Sequence, residues 1–345
     1  VVDDFSGKTP FKENPLFGAA KKSLTFLTAP FFIIILFMEE VIMFKRILLF
    51  LLTNILIVFT ITFLLNILGI TRYLYVYGVD LYTLALICLI WGMGGAFLSL
   101  AMSRFTAKAF LGVKTVDKND PEYATLYSIV EELSRRAGLK VVPEVGIYRS
   151  PEINAFATGP SKNRALVAVS TGLLNEMDRN QIEGVIGHEI SHIANGDMVT
   201  MTLLQGVINA FVMFLARVLA FALNLFLSKS EDREEGGFGN PFLTYFFIQI
   251  FEIVFSLFGW IVVAFFSRYR EFKADEGGAK YAGRNNMISA LEKLRKVYEY
   301  NLQYEHANQS LNTFKISGKA GGFLSLFATH PPLEERIERL KKLNI

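Results

Sequence analysis

The stretch that decides the reading is Gly187-His188-Glu189-Ile190-Ser191-His192-Ile193-Ala194-Asn195-Gly196-Asp197. The 345-residue chain holds only four histidines, and two of them stand here one helical turn apart. Positions i and i+4 of a helix project from one face, so both imidazoles can reach a single ion at about 2.0–2.1 Å. Glu189, beside the first histidine, leans over such an ion without ligating it and can take a proton from the attacking water. H-E-x-x-H therefore spells a zinc-peptidase site, although two satisfied histidines on an amphipathic helix would spell it too.

A catalytic zinc takes three protein ligands and keeps one position open. One known continuation of the pattern needs glycine at position 195 and histidine at position 198; Asn195 and Met198 exclude it. The other common solution is a glutamate from a separate helix. Arg270-Glu271-Phe272-Lys273-Ala274-Asp275 offers Glu271 as ligand, with Asp275 on the same helical face to accept a hydrogen bond from the free N–H of a ligating histidine. Taken alone, that spacing describes any solvated helix face.

Around these motifs the chain is apolar: 52% of residues are hydrophobic, 14% aromatic and only 19% charged. Long uncharged runs alternate with stretches of ordinary charge density, as in membrane proteins that carry soluble domains. A net charge of +3, dispersed along the chain, excludes nucleic acid as a partner. Cys88 is the only cysteine, which rules out a disulfide framework and a cysteine-based zinc site; it and Trp91 read as packing residues.

Ile47 to Ile70 and Leu81 to Met102 each give about 20 uncharged residues, enough to cross roughly 30 Å of hydrocarbon. Met201 to Leu227 and Phe242 to Phe266 form a second pair, interrupted only by Arg217 and Glu252. Four transmembrane helices are expected. Lys45 and Arg46, then Arg104, Lys108 and Lys114, then Arg268, Arg270 and Lys273 flank the spans on one side, placing those flanks and both chain ends in the cytoplasm.

The organisation read from this is residues 1–42 as an appended, upstream-extended or processed leader, 43–102 as the first two spans, 103–200 as the first part of a soluble domain, 201–266 as the second two spans, and 267–345 as its second part. The leader reading rests on the initial Val and on Met43-Phe44-Lys45-Arg46, which would make a natural start. Within the soluble domain, 121–138 has helical spacing, and 145–150 and 164–170 read as strands. Arg217 and Glu252 each lie about ten residues, roughly 15 Å, below the outer connection on neighbouring antiparallel helices. Isolated charges at that depth are costly, so they either pair or find Asn209, Asn224 or Gln249 separately.

The motifs agree in order with a known family. His188-Glu189-Ile190-Ser191-His192, two apolar spans, Ser267-Arg268-Tyr269-Arg270-Glu271-Phe272-Lys273-Ala274-Asp275 and Thr329-His330-Pro331-Pro332-Leu333-Glu334-Glu335-Arg336-Ile337 together resemble the M48 metallopeptidases, in particular their bacterial heat-shock membrane members. Asn154-Ala155-Phe156-Ala157-Thr158-Gly159 matches as well, so the resemblance covers about residues 43–345.

It implies a mainly α membrane protein with a cytoplasmic α+β zincin-like (gluzincin) metalloprotease domain carrying a small β-sheet. His188, His192 and Glu271 would hold one Zn2+ per chain, with Glu189 as general base and Asp275 behind a ligand. The segment from Asn154 through Ala155 and Phe156 to Ala157 would present an edge strand to an extended substrate. His330 and Arg336 would lie near the cleft, His330 as an oxyanion donor; a His-Pro turn capping the last helix, plus a surface ion pair, is the plainer account. His306, in a polar helical stretch, reads as solvated.

The implied setting is the bacterial cytoplasmic (inner) membrane, with membrane-protein substrates, the lipid bilayer, and other membrane proteases or a second copy of the chain as partners. The implied role is quality control of damaged membrane proteins. A non-catalytic membrane scaffold with a structural metal, or a prenyl-peptide (CAAX-type) protease, remains open at this stage.

Overall fold

Helix α1 (Leu81–Phe110) starts where Asp80 caps it: the Asp80 carboxylate accepts the backbone N–H groups of Tyr82 at 3.1 Å and Thr83 at 3.2 Å, two of the donors a helix start leaves unpaired. The computed structural model describes residues 80–228, 241–307 and 329–344. The leader, the first expected span and most of the Gly-rich connection after 228 lie outside the described residues. So does the side chain of His306.

Helix α1 is longer than the span read from sequence and runs on as a charged turn. There Lys108 reaches Glu144 at 2.7 Å and Arg104 pairs with the same carboxylate. Glu144 opens strand β2, so the apolar helix is tied directly to a sheet. The strands are β1 (Lys114–Val116), β2 (Glu144–Tyr148), β3 (Ala155–Thr158) and β4 (Leu166–Ser170), in the order β1-β2-β4-β3. The central pair β2 and β4 is parallel, with Glu144 opposite Leu166 and Tyr148 opposite Ser170. Both edges are antiparallel, β1 on β2 and β3 on β4, with Ala155 opposite Val169.

Period-two alternation sends Val145, Ile147, Val167 and Val169 to one face and Tyr148, Leu166 and Ala168 to the other. The first face packs on α2 (Ala124–Arg136) through Leu126, Ile129, Val130 and Leu133, and on α4 (Arg179–Asn195) through Ile186, Ile190 and Ile193. Those three isoleucines are fully buried, each worth roughly 1.5–3 kcal/mol of burial. They recur at i, i+4 and i+7, so the opposite side of α4 is the one left for the histidines. The second sheet face covers Ala107 and Val113 at the end of α1.

A short helix, α3 (Thr171–Glu176), leads into α4. Helix α4 begins in a capping box: Asp178 accepts the Gln181 N–H at 2.9 Å while the Gln181 side chain accepts the Asp178 N–H at 3.2 Å. It ends at Gly196, whose φ of 71° is the left-handed geometry that glycine adopts without strain. Helix α5 (Asp197–Ser228) starts at the next residue, followed by α6 (Pro241–Ala282), α7 (Arg284–Ala307) and α8 (Leu333–Lys341).

Helices α1, α5 and α6 are long and apolar enough to cross a membrane, three among the described residues. Their mutual faces are small: a Cβ added to Gly92 of α1 would lie 2.9 Å from the Ala210 Cβ of α5. Their outer faces carry exposed Trp91, Ile253, Phe258 and Phe265, the surface an apolar solvent would accept. Arg217 of α5 donates through Nη1 to Glu252 Oε1 of α6 at 2.7 Å and to the Met213 carbonyl of its own helix at 2.9 Å. Nearby, Asn224 donates to Thr244 and Gln205 donates to Asn209 at 2.9 Å.

Candidate metal centre

Two helices build the site, and glycine lets them come close. A Cβ added to Gly187 of α4 would stand 2.8 Å from the Ala282 Cβ of α6, and one on Gly277 would collide with Ser191 Oγ. At this spacing His188 and His192 from α4 meet Glu271 from α6, with one donor atom from each lying within 4.8 Å of the others. All three are buried, Glu271 to 2% exposure.

The atoms that face one another are the right ones for a cation. His188 Nε2 and His192 Nε2 are 3.1 Å apart; Glu271 Oε2 is 3.5 Å from the first and Oε1 3.3 Å from the second. Tetrahedral ligands at about 2.0–2.1 Å from an ion stand roughly 3.4 Å from each other, which these separations bracket. The two rings are nearly perpendicular, at 86°.

Each histidine is aimed from behind. Asp275 Oδ1 lies 2.9 Å from His188 Nδ1, and Asp197 Oδ2 lies 2.7 Å from His192 Nδ1. Both carboxylates fix the Nδ1–H tautomer and so direct the Nε2 lone pairs at the common point. Arg336 of α8 grips Asp275 twice, Nε to Oδ2 at 2.7 Å and Nη2 to Oδ1 at 2.6 Å. It is buried and also approaches Glu271 Oε2, at 3.6 Å. Its 3.4 Å approach to His188 Nδ1 brings two donors together in this tautomer, with Asp275 taking both hydrogens.

Charge completes the test. Among the described residues, the carboxylates Asp197, Glu271 and Asp275 meet two guanidiniums, Arg270 and Arg336, and Glu189 stands beside them without an ion pair, so four acidic groups in a largely buried cluster meet two arginines. A divalent cation makes up the difference, and so do protons on the imidazoles. Burial works against a charged His188, yet hydrogen bonds to Asp275 and Glu271 outweigh it and raise the pKa to about 9. His192 is raised in the same way, burial being outweighed by Asp197 and Glu271. Burial likewise opposes ionisation of Glu271, but its three histidine partners hold it far below the ordinary carboxylate range. The residues present fit zinc.

The remaining expected residues fall as follows. Glu189 is half-buried and, among the described residues, has no hydrogen-bond or ion-pair partner, as a base awaiting a proton requires. His330 is 67% exposed, with Nδ1 3.0 Å from Glu271 Oε2, at the rim of the cluster. Strand β3 holds Ala155, Phe156 and Ala157 at a sheet edge packed beside α4. Asn154 stands just before the strand and exchanges backbone contacts with Ser170, donating to its Oγ at 3.1 Å and accepting its N–H at 2.9 Å. Reading the sequence missed Asp197. Its signal was within the first stretch quoted, an aspartate directly after the helix-ending Gly196, where the chain turns back past the last histidine.

Residues 121–344 match Peptidase family M48. The chain belongs to this family. Members to which it is similar include a Protease HtpX homolog of Methylacidiphilum infernorum, 49% identical over 87% of this chain and 99% of that protein. Another from Bacillus subtilis is 47% identical over 87% and 99%, and Protease HtpX of an Enterobacter species is 43% identical over 86% and 97%. Among solved structures, the crystal structure of S. mikatae Ste24p superposes with a TM-score of 0.52 at 18% identity, covering 81% of this chain and 64% of that one; at that identity the likeness is one of fold. As an M48 chain with three apolar helices and a His-His-Glu cluster, the protein is a membrane peptidase of a metalloprotease family.

Proposed function

We propose that this chain is a zinc endopeptidase of the cytoplasmic membrane that cleaves cytoplasmic segments of misfolded or damaged membrane proteins. The observation that carries this is the convergence of His188, His192 and Glu271 on one point beside an unpartnered Glu189. Zinc, when bound, supplies a Lewis acid that polarises the scissile carbonyl and acidifies water. Glu189 removes the proton from the attacking water as its oxygen bonds to the carbonyl carbon. The same carboxyl then delivers that proton to the amine as the C–N bond breaks. Exposed on the rim, His330 can turn an N–H toward the oxyanion.

The free edge of β3 offers backbone donors and acceptors to an extended chain, so recognition would depend on an unfolded segment more than on its sequence. Zinc would lie close to the bilayer. Asp197 is both a partner of His192 and the first residue of α5, and Glu271 follows the apolar part of α6 by little more than one turn. Four transmembrane helices, with the site and both chain ends cytoplasmic, complete the reading, supported by the basic flanks.

The test is Glu189→Gln in the full-length protein, with zinc content measured beside cleavage of an unfolded membrane protein. Cleavage should fall by about 10²–10⁴ while zinc remains bound at one per chain. Undiminished cleavage in Glu189→Gln would overturn the assignment of Glu189 as base and with it this mechanism, whereas a wild type that binds zinc and cleaves nothing would be a scaffold with a structural metal.

A further inference from the structure

The two metal-facing histidines are held by unequal arms. His188 leads to Asp275 and then to Arg336, which closes on Asp275 with two hydrogen bonds of 2.7 and 2.6 Å. His192 leads to Asp197 at 2.7 Å and then to Arg270, whose Nε stands 4.0 Å from Asp197 Oδ2. Both guanidiniums also flank the same carboxylate, Arg336 at 3.6 Å from Glu271 Oε2 and Arg270 at 3.7 Å from Oε1. Glu271 Oε2 faces His188 and Oε1 faces His192, so each arginine completes the side on which its aspartate works.

We infer that Arg270, acting through Asp197, is a positioning residue for His192, as Arg336 acting through Asp275 is for His188. The inference rests on the reading that His188, His192 and Glu271 hold a metal.

Three observations carry it. First, the Arg270 Nε is buried and, among the described residues, has no hydrogen-bond partner, a costly state for a charged donor, and the acceptor within reach is Asp197, about 1 Å beyond bonding distance. Second, among the described residues Arg270 is one of two guanidiniums that meet the carboxylates of the cluster, so its loss leaves a buried negative charge unmatched there even with a divalent cation present. Third, the two arms come from different parts of the chain. The His188 arm joins Asp275 of α6 to Arg336 of α8, whereas in the His192 arm Asp197 opens α5 and Arg270 follows the apolar part of α6. The His192 arm therefore joins the first residue of α5 to a residue of α6 just past its apolar part. A displacement of α5 would carry Asp197 and so act on His192, whereas the partners of His188 stand on α6 and α8.

The experiment is a zinc-affinity cycle on full-length protein in detergent, using competition with a chromophoric chelator, for wild type, Arg270→Gln, Asp197→Asn and the double variant. Visible spectra of the Co2+-substituted forms are recorded alongside. Asp197→Asn should weaken zinc by about 10–100-fold and Arg270→Gln by about tenfold, and the double variant should be no weaker than Asp197→Asn alone, because both act through one imidazole. The Co2+ ligand-field bands should shift in Arg270→Gln, which a merely structural loss would leave unmoved in the protein that still binds. If Arg270→Gln does not fold, Arg270→Lys takes its place in the cycle, with an expected loss of a few-fold.

Zinc affinity within twofold of wild type, or an Arg270 effect that persists undiminished when Asp197 is already Asn, overturns the inference. Failure of the underlying metal reading looks different: wild type itself would bind no zinc, or Glu271→Ala would bind it as well as wild type.

Discussion

Two of the carboxylates on helix α6 that meet an arginine, Glu252 and Asp275, are built for opposite ends. Glu252, in the apolar part, receives one hydrogen bond from Arg217 at 2.7 Å, and both side chains keep about a third of their surface, 28% and 32%. Asp275, past the apolar part, receives two from Arg336, is 3% exposed, and spends its remaining capacity on His188. The first pair satisfies two charges that lipid would otherwise penalise and joins α5 to α6. The second orients an imidazole. Between them stands Glu271, which pairs with histidines first and arginines second. Position along one helix thus decides whether a carboxylate holds spans together or aims a ligand.

The sharpest way to break the contrast is to remove Glu271 and Glu252 separately. Glu271→Ala should lower zinc content from one per chain to nearly none and abolish cleavage, because two imidazoles alone hold the ion several orders of magnitude more weakly. Glu252→Ala should keep its zinc. Metal analysis of the two purified variants decides this, and equal zinc in both would remove Glu271 from the ligand set.

Next in size is the buried grip on Asp275. Arg336→Ala leaves that carboxylate, 3% exposed, without its cationic partner, an effect of about 3–5 kcal/mol on unfolding. Arg336→Ala combined with Asp275→Asn should recover part of that loss, since the stranded charge is gone. Denaturant unfolding of the three proteins in detergent measures it. If the double variant is less stable than Arg336→Ala, Arg336 acts by packing alone.

Much of this was legible in the chain, and the limits have physical causes. Helix α4 was legible because its isoleucines and histidines take opposite sides of one 3.6-residue period. Glu271 and Asp275 were legible because a shared motif joined them to the histidines across two spans. The Arg217–Glu252 contact followed from depth and antiparallel packing, but sequence could not choose between pairing and nearby amides, a matter of rotamer and helix rotation. Strands were read a residue or two too long, at Ser150 and Arg164, because Ser, Pro and Lys-Asn-Arg turns border both. Asp197 was missed because its direction depends on the left-handed turn at Gly196 between two helices, which composition and spacing do not set.

Acidity bears on the metal-site end of the comparison, through the histidine that Asp275 orients. In protein stripped of metal by a chelator, the His188 pKa is raised from 6.5 to about 9. A raised pKa contributes stability that is fully present below about pH 6.5 and is lost as pH climbs through about 9. Zinc binding has the opposite slope, since the ion must displace the proton: affinity should rise up to about tenfold per pH unit for each proton released, levelling off near pH 9. Thermal melts of the stripped protein and zinc competition over the same pH series test both slopes. Slopes of the same sign would show that His188 does not carry the competing proton.

The smallest expected effect belongs to the intramembrane pair, and it asks the finest question. Arg217→Ala, Glu252→Ala and the double variant form a cycle whose coupling should be about 1 kcal/mol, the range measured for polar contacts between membrane helices. It is small because either residue, left alone, can turn to other partners: Arg217 already donates to the Met213 carbonyl at 2.9 Å. A coupling near zero would mean that each charge is solvated on its own, and that α5 and α6 are aligned by the close Gly259 contacts to Ile208 and Val212 instead. A coupling of the expected size, accompanied by a change in zinc affinity, would mean that the register of the two spans reaches the metal site through Asp197 and Arg270. With zinc affinity unchanged, the pair would serve the bilayer alone.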